Sequence, residues 1–353
     1  MRDSLTVRAT SDVPLAPLTT LRVGGAAARM VELGSEEDVR ESLADADARR
    51  EPLLVLGGGS NIVIADEGFP GLVARMAIRG VEARRDGDRV VVDVGAGEEW
   101  DTLVAHAVDE GWRGVASLSG IPGRVGATPI QNVGAYGEEV ADTIAGVRVF
   151  DRASNAFVDM APAECGFGYR ASIFKRNERW IVTRVRFAFE RGDDAPVRYA
   201  ELARALSVKE GDVAPAKQVR ETVIALRRGK GMVLDPADPD SVSAGSFFVN
   251  PVVDVATAVR VEALAGAVPP RFAAGDGCVK LAAGWLVERA GFARGWGEGR
   301  AGVSRKHALA LVNRGGATSA ELLAVARAIR DGVRARFGVT LEPEPVFVGC
   351  SLE

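Results

Sequence analysis

Residues 112–137, WRGVASLSGIPGRVGATPIQNVGAYG, have neither the 3.6-residue period of a helix nor the alternation of a strand. The six glycines from Gly114 to Gly137 loosen the backbone, while Pro122 and Pro129 stiffen it. A loop of this length inside a compact domain is uncommon, and where one occurs it generally carries function. Glycine is in excess throughout, at 41 of 353 residues, against roughly 7% in an average protein. It is clustered rather than spread as linker: Gly57-Gly58-Gly59, Gly114 to Gly137, and Gly291 to Gly302. Such clusters let backbone lie close to a ligand or to another chain segment. Any fold for this chain must place all three.

The rest of the composition is that of a globular protein, 47% hydrophobic and 26% charged, long enough for two domains or three small ones. Lys+Arg 44 against Asp+Glu 48 leaves a net charge of −4, so no field favours nucleic acid or an anionic membrane. Cys165, Cys278 and Cys350 are odd in number and far apart, which argues against a disulfide framework or a cysteine metal site and for a reducing compartment. The opening MRDSLTVRATSDVP has no apolar secretory core, and no apolar run reaches the roughly 18 residues that span a bilayer. A cytoplasmic monomer with neither nucleic-acid nor membrane partner is expected.

Periodicity orders the remainder. Residues 1–16 read as a tail. Ser35 with Glu36, Glu37 and Asp38 caps a helix whose apolar positions are Val39, Leu43 and Ala46. Strands are predicted at 53–57, 61–65, 71–76, 81–85 and 89–95, the last two joined by the hairpin signal Asp86-Gly87-Asp88. Residues 98–111 form an amphipathic helix with a stripe of Trp100, Leu103, Val104, Ala107 and Val108; 179–190 is a strand alternating Val185, Phe187 and Phe189 with Arg184 and Arg186. RGDDAP near 191–200 marks a candidate boundary. Beyond it come helices near 215–228, 254–265 and 280–290, a strand at 308–313, and a helix opened by the capping box Thr318–Glu321 and closed by Gly338. A strand over 339–349 ends the chain. The mixture is α+β in two or more domains.

GGGSN, residues 57–61, is either a backbone nest for a phosphate or a tight hairpin. The 112–137 loop, with Gln131 and Asn132 as donors and acceptors, is either a ligand wall or an Ω-loop. Gly166-Phe167-Gly168-Tyr169-Arg170-Ala171 matches G-x-G-x-x-A, but it follows no clear buried strand and opens no helix, so it is not a dinucleotide fingerprint. Tyr169-Arg170 is there either an anion clamp or a surface pair. Ser246 has no G-x-S-x-G elbow, and His106 and His307 form no triad or zinc motif, so no metal is expected. Lys230 lacks a Walker context, and Glu342 and Glu344 alternate onto one face of their strand. These residues alone imply a phosphate-bearing ligand. Redox chemistry, group transfer and nucleotide binding all stay open.

Taken in order, TTLRVGGAA (19–27), LGGGSNIVIAD (56–66), SGIPGRVGATPIQNVGAYG (119–137), GFGYRASIFK (166–175), AGSFFVNP (244–251), KLAAGWLVERAG (280–291) and LEPEP (341–345) resemble the UDP-N-acetylenolpyruvoylglucosamine reductase family. The resemblance covers nearly all the chain from about residue 17 and implies an α+β flavoenzyme. Its FAD-binding domain (17–192) would be of vanillyl-alcohol-oxidase type, built of two subdomains, with a smaller α+β substrate domain (193–353) whose last strand, 339–349, returns to the active site. It implies non-covalent FAD walled by Gly57, Gly58, Gly59, Ser60, Asn61, Ser119, Gly120, Ile121, Pro122, Gly123, Gly126, Ala127, Gln131, Asn132, Gly134, Ala135 and Tyr136. It further implies ping-pong reduction by NADPH of the enolpyruvyl group of UDP-N-acetyl-3-O-(1-carboxyvinyl)-glucosamine, giving UDP-N-acetylmuramate for peptidoglycan.

The same resemblance places Arg170 and a protonated Glu344 at the substrate carboxylate, with Tyr169 beside them, and makes Ser246 the proton donor to C2. Asn250 and Lys230 would contact the UDP part and the NADPH phosphates. Tyr199, in PVRYAEL, matches the substrate-covering loop tyrosine of the enterobacterial-type subgroup. Two departures stand out: Pro345 follows Glu344 where the family often continues EPEV with a basic residue next, and DPADPDSVS precedes AGSFF where a shorter, less acidic stretch is usual.

Overall fold

A computed structural model describes residues 9–275 and 277–353. They form two compact units. The first comprises the described residues up to Val13, Ala27–Gly58 and Pro70–Arg228; the second comprises Pro14–Ala26, Gly59–Phe69 and Gly229–Glu353.

In the first unit, helix α1 (Glu36–Arg49) has the expected start: Ser35 Oγ accepts the Asp38 N–H while Asp38 accepts the Ser35 N–H, and three acidic residues occupy the first turn. It belongs with a four-stranded sheet in the order Thr10–Pro14, Ala26–Leu33, Phe69–Met76, Leu53–Leu56, in which the last pair is parallel. The tail reading of residues 1–16 is thus corrected over its second half, since Thr10–Pro14 is a sheet-edge strand; Met1–Arg8 lie outside the described residues. An edge strand needs only backbone pairing, which a polar sequence does not advertise.

The larger sheet is antiparallel, in the order Ala156–Met160, Ile144–Asp151, Trp180–Arg191, Arg89–Gly95, Val81–Asp86. Val185, Phe187 and Phe189 turn inward, where Trp100 of helix α2 (Trp100–Asp109) lies 6.1 Å from Phe187 between ring centres. Arg186 on the opposite face pairs with Asp93 at 2.8 Å. The predicted alternation is therefore the real two-faced strand.

The first unit continues past residue 192. Val197, Leu202 and Leu206 of the segment holding helix α3 (Ala200–Leu206), and Val219 and Val223 of helix α4 (Ala216–Gly229), pack on Val108 and Ala116. The compact division falls at Arg228/Gly229, not at the expected 192/193, because this apolar cluster outweighs the polar RGDDAP turn.

The second unit has a three-stranded sheet, Ser243–Ser246, Ala310–Asn313, Ala301–Val303, and another, Val252–Asp254, Cys278–Leu281, Arg271–Ala273. Helices α5 (Val255–Ala265), α6 (Ala283–Arg289) and α7 (Ser319–Phe337) complete it, with Phe247, Phe248, Leu286, Leu311, Ile329 and Phe337 in one core. Helix α7 has the expected capping box and a left-handed Gly338. Asp66 adds a cap, accepting the Ser319 and Ala320 N–H groups at 2.7 and 3.0 Å.

The third glycine cluster is structural. The Arg314 guanidinium donates to the carbonyls of Gly295 (2.9 Å), Trp296 (3.2 Å), Gly299 (3.4 Å), Val303 (3.2 Å) and Gly297. Residues 295–303 thus wrap around the surface-exposed Arg314 guanidinium, and a Cβ on Gly302 would collide with it at 2.4 Å.

Candidate active site

GGGSN is not a hairpin. Leu53–Leu56 pairs with Phe69–Met76, whereas Ile62–Ile64 pairs in parallel with Val346–Val348. The chain changes unit within the glycines, and each side is packed backbone to backbone. A Cβ on Gly58 would sit 2.7 Å from Gly123 Cα; on Gly59, at φ +62°, it would sit 2.0 Å from the Leu18 carbonyl. The first contact sets Gly57-Gly58 against the second predicted cofactor loop, which sequence alone could not pair.

That second loop is pinned at many points within the first unit. Trp100 N–H donates to the Gly123 carbonyl (3.0 Å), Gly126 N–H to Ala96 (2.9 Å) and Trp100 Nε1 to Leu118 (3.2 Å). Arg124 pairs with Glu99 at 2.7 Å. Ser119 and Gly120 are buried; Ile121, Pro122 and Ala127 are half-buried. Asp101 accepts the Gly120 N–H at 2.6 Å and takes both Arg220 nitrogens of helix α4, at 2.6 and 2.9 Å. Burial by itself would raise the Asp101 carboxyl, but Arg220 and the Gly120 amide together hold it below the usual carboxylate value.

Further along, Asn132 is a buried hub at φ +44°. Its amide donates to Glu139 (2.6 Å) and to the Gly168 carbonyl (3.1 Å), and its oxygen accepts the Ala141 N–H (3.1 Å). Gly166–Ala171 forms a tight turn in which Gly168 and Ala171 exchange backbone hydrogen bonds, with Arg170 at φ +53°. No helix follows, in agreement with rejection of the dinucleotide fingerprint. The Arg170 guanidinium donates to the carbonyls of Gly134 (2.7 Å) and Asn132 (3.4 Å), and Lys175 donates to the Arg170 carbonyl (2.9 Å). Arg170 and the Asn132–Tyr136 segment are thus one assembly.

Tyr136, at φ +49°, meets Tyr199 edge to face at 5.6 Å between ring centres. Burial pushes the Tyr136 phenol up to about 12 and raises that of Tyr199 as well. Arg227 of helix α4 contributes charge to the same region, its guanidinium lowered by burial beside Tyr136, Asp101 and Arg170. Tyr169 is exposed, with the Arg170 guanidinium 5.9 Å over its ring; Gln131 and Ala135 are half-buried.

The second unit holds the other candidates. Ser246 ends the strand Ser243–Ser246 and is paired with Ala310, after a register irregularity that includes Gly245 at φ +72°. The adjoining Phe247 carbonyl accepts the Glu344 N–H at 2.9 Å, and Val249 N–H donates to the Glu342 carbonyl at 3.0 Å. Ser246 and Glu344 therefore sit on neighbouring paired segments. The predicted strand 339–349 is shorter than expected, Val346–Val348, because Pro343 and Pro345 withhold ladder donors just before it. The Asn250 side-chain oxygen accepts the Ala283 N–H at the start of α6 (2.9 Å), and Lys230 is half-buried beside Gly231. Ser60 is half-buried, and its carbonyl accepts the Thr20 hydroxyl at 3.4 Å.

Comparison with known proteins now decides the family. An FAD binding domain matches residues 27–159, and the UDP-N-acetylenolpyruvoylglucosamine reductase C-terminal domain matches 236–348. Across 349 residues the chain is 53% identical to the UDP-N-acetylenolpyruvoylglucosamine reductase of Thermobifida fusca (strain YX), covering 97% of this chain and 98% of that one. The chain belongs to the UDP-N-acetylenolpyruvoylglucosamine reductase family. The protein of that name from Salinispora arenicola (strain CNS-205) is 53% identical over 346 residues, covering 96% of this chain and 95% of the relative. The crystal structure of the family member from Thermus caldophilus aligns with a TM-score of 0.66 at 28% identity, over 97% of this chain and 99% of that one. The Thermobifida and Salinispora relatives are actinobacterial. The fold is accordingly α+β, an FAD-binding domain joined to the family's C-terminal domain.

The residues present suit a bound flavin dinucleotide: two glycine turns meet backbone to backbone at Gly58 and Gly123, where glycine adds no side chain of its own. Among the described residues no group of His, Cys, Asp or Glu is placed to hold a metal, and no helix is long and apolar enough to cross a membrane. Asp101, Arg220 and Arg227 were not legible as site residues. Asp101 and Arg220 are 119 positions apart, and no local pattern links a helix-start aspartate to a distant arginine.

Proposed function

We propose that this protein catalyses NADPH-dependent, FAD-mediated reduction of the enolpyruvyl group of UDP-N-acetyl-3-O-(1-carboxyvinyl)-glucosamine to UDP-N-acetylmuramate, a step of peptidoglycan precursor synthesis. The observation that carries the proposal is 53% identity to a reductase of that name over 97% of the chain, with Arg170, Ser246 and Glu344 in their motifs. Non-covalent FAD, in a domain of vanillyl-alcohol-oxidase type, would supply the two-electron chemistry that links NADPH to the substrate, in ping-pong order. The balanced charge and three free cysteines support a soluble cytoplasmic monomer.

The chain's own residues meet the difficulty of the second half-reaction. Hydride addition at C3 pushes the double-bond electron pair onto C2, leaving negative charge there that spreads into the adjoining carboxylate. Arg170, held by its bonds to Gly134 and Asn132, offers fixed positive charge to that carboxylate. Glu344, carrying a proton, donates a hydrogen bond to it. Ser246 gives its hydroxyl proton to C2, driven by the basicity developing there. Tyr199 packed on Tyr136 supports the form in which a loop tyrosine covers the substrate, while Lys230 and Asn250 bind the UDP part and the NADPH phosphates.

Stopped-flow mixing tests this. NADPH bleaches the flavin absorbance, and the enolpyruvyl substrate then restores it. A colourless protein that takes up no FAD, or a bleached flavin the substrate does not reoxidise, sinks the proposal.

A further inference from the structure

The acidic stretch 235–241 is a compact knot. Asp238 accepts the Asp240 N–H at 3.1 Å and pairs with Lys306 at 2.8 Å. Ser241 Oγ lies within bonding distance of the Asp235 and Asp238 carbonyls, at 2.9 and 2.8 Å. Asp240 is its centre, 4% exposed. One carboxylate oxygen accepts the Arg305 backbone N–H at 2.8 Å, and the other takes the Arg305 side chain at 3.1 Å.

Both sides of this knot lead to site residues of the second unit. Downstream, the Val242 carbonyl accepts the Asn313 N–H (3.1 Å), Ser243 pairs with Val312 and Ser246 with Ala310, and Phe247 N–H donates to Leu309 (2.8 Å). The turn that holds Asp240 is tied to that same strand, since Ser304 N–H donates to the Ala310 carbonyl at 2.8 Å. Upstream, Gly231 at φ +67°, next to Lys230, has room for no Cβ because the Asp240 carbonyl would lie 2.9 Å from it.

We propose that Asp240 is a positioning residue: by accepting the Arg305 amide it locks the Ser304–His307 turn to the approach of the Ser246 strand and fixes where the Ser246 hydroxyl is presented. This rests on the reading of Ser246 as proton donor. The link runs through a backbone amide, and the Arg305 side chain is 69% exposed, so its ion pair adds little. Removing the carboxylate frees the strand's approach, and a misplaced donor slows proton delivery without altering how NADPH reduces the flavin.

The test uses the FAD-loaded full chain and three variants. Asp240→Ala should slow reoxidation by saturating substrate at least about tenfold, with the limiting rate of bleaching by NADPH within about threefold of the parent. Asp240→Asn keeps an acceptor for the Arg305 amide and should restore reoxidation to within about threefold. Arg305→Ala keeps the amide and should behave like the parent. Hydrogen exchange at the Phe247 and Asn313 amides should quicken in Asp240→Ala alone. Unchanged exchange, an asparagine variant no better than alanine, or equal loss in both half-reactions overturns the brace. If Ser246→Ala reoxidises normally while exchange still quickens in Asp240→Ala, the donor reading fails instead, and the positioning role with it.

Discussion

The Asn61 side-chain amide donates to the backbone carbonyl of Glu344 at 3.3 Å, and the Asn61 carbonyl accepts the Val346 N–H at 3.0 Å. The last residue of GGGSN thus holds the segment that carries Glu344, the proposed substrate-carboxylate partner. Resemblance assigns Asn61 to the cofactor and Glu344 to the substrate, and their contact makes the placement of one depend on the other.

Glu344→Gln should slow flavin reoxidation less than Glu344→Ala, because an amide in the same pocket still donates a hydrogen bond to the substrate carboxylate. A gap of about tenfold or more between the variants is expected. Stopped-flow reoxidation at saturating substrate measures it; equal losses would remove the protonated-carboxyl role.

Ser246→Ala should leave bleaching by NADPH nearly unchanged and slow reoxidation by about 10²–10⁴-fold, the range of a lost general acid. The mutated side chain lies at a strand end in the second unit, so flavin content should match the parent. Parallel loss of both half-reactions would make Ser246 structural.

Asp101 ties the Gly120 amide to Arg220 of helix α4. Asp101→Ala should cost about 1–2 kcal/mol of stability, less than a fully buried pair because the carboxylate is partly exposed. FAD affinity should fall, as read by fluorescence titration of apoprotein. Asp101→Asn, which still accepts the Gly120 N–H, should keep more of the affinity. The pair's stabilisation is present above the unfolded carboxyl value and is lost as pH falls through the lower native one. Acid unfolding monitored by circular dichroism should therefore begin earlier in the wild type's pH range for the alanine variant than for the parent.

Glu138 is buried and accepts the Ser117 N–H at 3.0 Å, and among the described residues its second carboxylate oxygen has no hydrogen-bond partner. Burial holds its carboxyl above the ordinary range despite the Ser117 contact. A native value raised above the unfolded one gives stability that is complete in acid and declines as pH rises through the native value. Glu138→Gln keeps the acceptor and removes the ionisation. Its melting temperature should match the parent below pH ~3, where both states hold the proton, and exceed it increasingly toward neutrality. A constant offset across that range would refute the assignment.

Local chemistry was readable wherever one segment contains its own cause. The N-cap at Ser35, the capping box at Thr318, the two-faced strand predicted at 179–190, the stripe of α2 and the Gly87 hairpin all follow from short-range spacing, and all are present. The family was readable too, because its motifs are contiguous. What only the tertiary structure decided are contacts between distant segments. GGGSN splits two sheets instead of joining a hairpin, residues 193–228 stay with the first unit, and the carbonyls of Gly295, Gly297 and Gly299 bind the Arg314 guanidinium. The brace Asp101–Arg220, the bond Asn61–Glu344 and the knot at Asp240 are of the same kind. Each depends on a charge or amide finding a partner across a long closed loop. Sequence spacing records which residues share a helix face or strand face, but not which faces come to share an interior.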